Sequence, residues 1–170
     1  MRIGYSHRGL LQGGRRRLAD GLIGRGHDVV FLQIDRDLTE HLRRLPYHWD
    51  VGLPRLDGFV AEWCGPVSGR NTTWCGAAGH TCELHRQTEL VEHYTYRLGL
   101  PTIVWDVDLL LPAASPLRTH PAVTTCSPRP GPDETELHLP DPAHDGTGAR
   151  SSARQLDTVE GLLRAEVPVP

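Results

Sequence analysis

Three of the four cysteines, two of the four tryptophans and an Arg-Asn pair crowd into one stretch, EWCGPVSGRNTTWCGAAGHTCELHRQ, from Glu62 to Gln87. Loops are ordinarily polar and bland because they lie in water, so a long connection that concentrates Trp, Cys, Arg and His reads as a working loop. Cys64, Cys75, His80 and Cys82, with His85 just behind them, could supply a tetrahedral zinc shell, since thiolate and imidazole are the ligands zinc takes. There is no C-x-x-C, so a Cys75–Cys82 disulfide and free thiols stay open beside zinc, and no other cofactor is implied.

A second set of reactive side chains sits where apolar runs end. Ser6, His7 and Arg8 follow the first run, Glu62 and Trp63 close the third, and Trp105, Asp106 and Asp108 close the fourth; Arg70, Asn71, Arg86 and Gln87 come from the crowded stretch. Such a set suits a polar, hydroxyl-rich small molecule. Carboxylates accept hydroxyl protons, Asn and Gln donate directionally, Trp63 and Trp105 offer flat faces, and Arg70 or Arg86 could fork onto a phosphate. Glu62 or Asp106 could act as general base, and Asp106 with Asp108 could hold Mg²⁺, although alternate residues of a strand point opposite ways. Asp106 could equally cap its strand end, the tryptophans could be core, and His7 is read either as catalytic or as the exposed start of a loop. Cys126 reads as a small buried hydrophobe.

These residues need a scaffold that brings strand ends together. Arg2 to Ser6 is a short apolar run, Leu18, Leu22 and Ile23 recur at helical spacing before Gly24 and Gly26, and Val29 to Ile34 is rich in β-formers. Leu38, Leu42 and Leu45 predict a short helix with Asp37 as N-cap, broken at Pro46. Leu56 to Trp63 reads as a third strand. Leu84, Thr88, Val91, Tyr94 or Thr95, and Leu98 predict a helix closing at Gly99, followed by strands at Thr102 to Trp105 and Ala122 to Ser127. Strands alternating with helices predict a single-domain α/β fold, a three-layer Rossmann-like sandwich on a mostly parallel sheet of about five strands. The domain spans 1–140, the Gly/Ser/Asp-rich segment 141–150 reads as a linker, and 151–170 carries a terminal amphipathic helix through Leu156, Val159, Leu162 and Leu163, expected to pack back near the first strand and helix.

Bulk properties exclude several classes. A chain of 170 residues, 38% hydrophobic and 23% charged, holds one domain with a real core. The net charge of −3 gives no field for nucleic acid or an anionic membrane. All 18 basic side chains are Arg, which excludes a Lys nucleophile and a P-loop, and Gly9, Gly13 and Gly14 do not make G-x-G-x-x-G. Without a signal-peptide core or a membrane-length apolar run, the expected location is the cytoplasm.

The opening GG..RLADGLIGRGHDVVFL, then EW...GRN...L.RQ, PTIVWD.D and LHLPDP, taken in that order, resemble the N-terminal half of GT-B-type glycosyltransferase-like proteins of actinobacteria and their phages. The resemblance implies a Rossmann-like acceptor-side domain without the C-terminal donor domain. It also implies a sugar-transfer function completed by a separate donor-binding protein or a second copy of the chain, with 151–166 in the role of the helix that returns to the first domain. A stand-alone hydrolase or transferase on a nucleoside or sugar phosphate, using Glu62 and Asp106 as acid and base, and a non-catalytic binding module are the alternatives.

Overall fold

The computed structural model describes residues 1–7, 13–65, 83–128, 135–136 and 148–165. Strand β1 (Arg2–Ser6) leads to helix α1 (Gly13–Gly24), β2 (Asp28–Phe31), α2 (Arg36–His41), β3 (His48–Trp49) and β4 (Gly58–Glu62). Helix α3 (Glu83–Leu90) then continues directly into a π-helical stretch (Val91–Arg97), followed by β5 (Thr102–Trp105), a 3₁₀ turn (Pro116–Thr119), β6 (Val123–Ser127), β7 (Thr135–Glu136) and α4 (Gly148–Arg164). All strands are parallel, in the order β3-β2-β1-β4-β5-β6-β7. The α/β sandwich expected from the sequence is therefore present, with seven strands in place of about five because β3 and β7 pair over only two residues each.

A parallel sheet is covered on both faces, so its strands read as unbroken apolar runs. Ile3, Tyr5, Val29, Phe31, Val60, Ile103 and Trp105 form one core with Leu18 and Leu22 of α1 and Val159 and Leu163 of α4. Val30, Leu32, Phe59, Ala61 and Val104 form the other with Leu90, Val91 and Tyr94. Between β3 and β4 the chain returns across this second face, from Asp50, whose N–H donates to Phe31, to Asp57, whose N–H donates to Arg2. Leu56 on that return lies over β1, and Gly4 makes the approach possible: a Cβ there would run into Leu56 and come within 2.8 Å of Leu32 Cδ1.

Several local expectations are corrected. The N-cap of α2 is Asp35, whose side chain accepts from the Leu38 N–H at 3.0 Å, and not Asp37; the helix closes at Leu42, in the left-handed region at φ 52°. The buried stripe beyond Glu83 is Gln87, Leu90, Val91, Tyr94 and Thr95, while Thr88 is exposed and Leu98 is 55% exposed. Residues 148–150, expected as the end of a linker, are the first turn of α4.

Helix α4 packs against α1 and the sheet, with Leu156 over Gly21 and Leu163 over Gly58. Polar contacts at the amino edge hold it in place. Arg25 donates through Nη1 to Asp157 at 2.7 Å and through Nη2 to the Ala153 carbonyl at 3.2 Å, and His27 Nε2 lies 2.9 Å from Glu160 Oε1. The His27 hydrogen bond, then Arg25, hold the Glu160 carboxyl below its ordinary value against the opposing pull of desolvation.

Two outcomes follow from this packing. Gly4→Ala will destabilise by about 1–3 kcal/mol through overpacking, whereas Gly161→Ala, at a helical position with open space around its Cβ, will stabilise by about 0.5–1 kcal/mol; urea unfolding measures both. A lowered folded-state pKa means that Glu160 stabilises the fold above its unfolded value of 4.5 and loses that contribution as the pH falls through the folded value. The melting-temperature gap between the wild type and Glu160→Gln should therefore be present at neutral pH and close on acidification below pH 4.5.

Candidate functional site

The strand order reverses between β1 and β4, the neighbours from which the chain winds outward in both directions. In open parallel sheets the carboxyl edge at such a switch point is a crevice, because the loops from the two strands depart to opposite sides. Here that edge carries Ser6 and His7 on one strand and Glu62 and Trp63 on the other.

Glu62 is the last residue of β4, in register with Trp105, and its side chain falls on the α1/α4 face together with Tyr5 and Val60. It is 1% exposed, and Tyr5 donates its hydroxyl to Oε1 at 2.8 Å. The Tyr5 ring is held in turn by Phe31, edge to face at 5.6 Å. His7 is the next residue after β1, and it is not the exposed start of a loop. At 2% exposure its ring stands edge-on to Phe31 at 5.5 Å and to Trp49 at 5.7 Å, while Phe31 and Trp49 pack on each other at 4.8 Å. The Ser6 hydroxyl accepts from Gln33 Nε2 at 3.0 Å.

Tyr47 extends this aromatic group against Phe31 at 5.2 Å and donates its hydroxyl to Asp20 at 2.6 Å. Burial first, and the Asp20 bond second, push the Tyr47 phenol up to about 12, so it stays a neutral donor at physiological pH.

Other residues with ligand-binding chemistry are taken up by the main chain. Arg86 donates through Nε to the Leu32 carbonyl at 2.9 Å, through Nη2 to the Gly52 carbonyl at 2.6 Å, and pairs through Nη1 with Glu89 at 2.7 Å. It ties the end of β2 and the β3–β4 return to α3. Gln87 accepts from the Cys64 N–H at 2.7 Å and donates to the Cys64 carbonyl at 3.2 Å, clamping the chain just beyond β4. Asp106 accepts from the Leu110 and Leu111 amides at 2.8 and 2.9 Å, folding a tight loop in which Leu109 takes φ 58°. Strand alternation puts Asp106 on the α3 face, opposite to Glu62, so the two carboxylates do not share one side of the sheet.

Trp105 is buried core, Trp63 is half-buried beside the second core, and Asp108 is exposed. Arg8, Arg70, Asn71, Cys75, His80 and Cys82 lie outside the described residues, and with them most of the expected zinc set. Cys64 and Cys126 are buried, and among the described residues no group of three His, Cys, Asp or Glu side chains gathers at metal-binding distance.

Tyr5, Gln33 and Trp49 are the site residues that sequence reasoning passes over. Tyr5 carried a visible signal, an amphipathic ring alternating with Ile3 on a strand that ends in Ser-His. Comparison with family models, curated proteins and solved structures gives no match for the chain. Among the described residues no helix is long and apolar enough to cross a membrane. The fold thus defines a doubly wound α/β domain with buried acidic and aromatic side chains at its switch point. Gln87→Ala strips both main-chain groups of Cys64 of their partner and should destabilise by about 1–3 kcal/mol, read by chemical denaturation as a lower midpoint at unchanged slope.

Proposed function

We propose that the domain binds a hydroxylated small molecule at the carboxyl edge of β1 and β4 and serves as the acceptor-binding half of a GT-B-type sugar transferase. Glu62 is its general base. The observation that carries the reading is a carboxylate 1% exposed at the switch point, oriented by the Tyr5 hydroxyl at 2.8 Å. A base removed from water and held in one orientation suits proton abstraction from an acceptor hydroxyl as that oxygen bonds to the anomeric carbon and the donor's leaving group departs from it with the bonding electron pair. Ser6, His7 and Trp63 frame the same edge, and the motif order noted in the sequence points to the same class of enzyme. The donor half of such enzymes is a second domain. Glu62 and Asp106 face opposite sides of the sheet, which disfavours the stand-alone hydrolase in which they act as a pair.

A melting-temperature screen of nucleosides, sugars and phosphosugars should find a ligand, since occupancy at a hundredfold excess over Kd adds about 2.7 kcal/mol. With that ligand and a donor-binding partner, Glu62→Gln, which keeps an acceptor for Tyr5, should lower turnover by about 10²–10⁴-fold with little change in Kd. Unchanged turnover removes Glu62 from the chemistry, and binding with no turnover in any pairing makes the domain a binding module.

A further inference from the structure

Folded proteins pair nearly all of their buried polar groups, so those left without a partner point to something the protein binds. Among the described residues, Gln33 Oε1, Trp49 Nε1 and Trp63 Nε1 are buried with no hydrogen-bond partner. All three belong to the carboxyl edge: Gln33 lies two residues beyond β2, Trp49 ends β3 and Trp63 follows β4. Two further such atoms lie elsewhere, Arg2 Nε at the start of β1 and Gln155 Oε1 on α4; Arg2 Nε faces Asp28 at 3.1 Å.

Neither Gln33 nor Trp49 can turn freely to water. Trp49 is packed on Phe31 at 4.8 Å and against His7 at 5.7 Å, which fixes the direction of its N–H. One polar atom of the Gln33 amide is held by Ser6 Oγ at 3.0 Å, and whichever way the amide is turned, the other meets no partner.

The chemistry of these atoms selects a ligand. An indole N–H only donates, and a carbonyl oxygen only accepts. A hydroxyl does both and so suits either turn of the amide, whereas an anion satisfies the indole but is repelled by an amide oxygen facing it. Resting on the reading that this edge is the ligand site, we infer that Gln33 and Trp49 read a hydroxyl group of an uncharged polyhydroxylated acceptor, and that a phosphorylated one is disfavoured; Trp63, packed on the opposite face of the sheet, is not part of this set.

The experiment uses the full chain, isotope-labelled at the tryptophan indoles, with methyl α-glucoside, myo-inositol and glucose 1-phosphate as probes. Trp49→Phe and Trp63→Phe assign the N–H signals. An uncharged probe should shift the Trp49 signal saturably. Trp49→Phe should weaken that binding about tenfold; the lost ring packing lowers the ligand-free melting temperature whichever role Trp49 has, so the affinity decides. A purely structural Trp49 leaves the affinity unchanged. If Trp49→Phe does not fold, Gln33→Met carries the same binding comparison. Binding of an uncharged probe that leaves the Trp49 signal and the variant's affinity untouched overturns the assignment but not the ligand site. Binding of glucose 1-phosphate alone overturns the preference for a neutral ligand. Binding of no probe removes the site reading and this inference together.

Discussion

A parallel sheet has no free face, and in this protein that requirement arranges everything else. Both surfaces of seven strands must be covered, so the chain sends α1 and α4 to one side and α3, its π-helical continuation and the β3–β4 return to the other. Where a cover comes close to a strand or to another cover, side chains must vanish: Gly4 admits Leu56 and Gly58 admits Leu163 on the sheet, and Gly21 of α1 admits Leu156 of α4. These glycines are fixed by the approaching cover and not by their own turns.

Covering the faces leaves the edges, where carbonyls and amides of the last strand residues lack ladder partners. At the amino edge they are met by chain neighbours such as Asp57, whose carboxylate accepts from the Arg2 N–H at 2.7 Å. The carboxyl edge uses Arg86, Gln87 and Asp106 for this work, each bonding main chain within a few residues of a strand end. Glu62 and Ser6, at the same edge, also bond side chains, Tyr5 and Gln33. The aromatic cluster of Tyr5, His7, Phe31, Tyr47 and Trp49 holds these pairs in place without consuming their hydrogen bonds.

The covering of both faces also accounts for what the sequence could and could not reveal. The strands at Arg2–Ser6 and Thr102–Trp105 stand out because burial on both faces writes a continuous apolar run. β3 and β7 do not, since two residues pair only when a neighbouring strand is already in place. The helix beyond Glu83 was legible but its buried face was rotated: a reading by polarity sets Gln87 outside, whereas its amide is needed inside against Cys64, and Leu98 is left in water. Residue types at strand ends placed Ser6, His7, Glu62 and Asp106 at one edge of the sheet, where the strands in fact end. They could not say whether Arg86 or Asp106 faced a ligand or the main chain, because that depends on pairings such as Arg86 with the Leu32 carbonyl, 54 positions apart. The bond between Tyr5 and Glu62, 57 positions apart, was out of reach for the same reason.

The place of α4 has a consequence for how the chain is made. Val159 and Leu163 cover the middle of a sheet whose strands β1 to β6 all precede them, and Arg25 waits 128 residues for the Ala153 carbonyl. During synthesis the sheet can assemble while one of its faces is still only half roofed, with Val60 and Ile103 open to other apolar chains until the last helix emerges. Covering that face is then a late event in the folding of this domain, and apolar surface exposed before it favours aggregation.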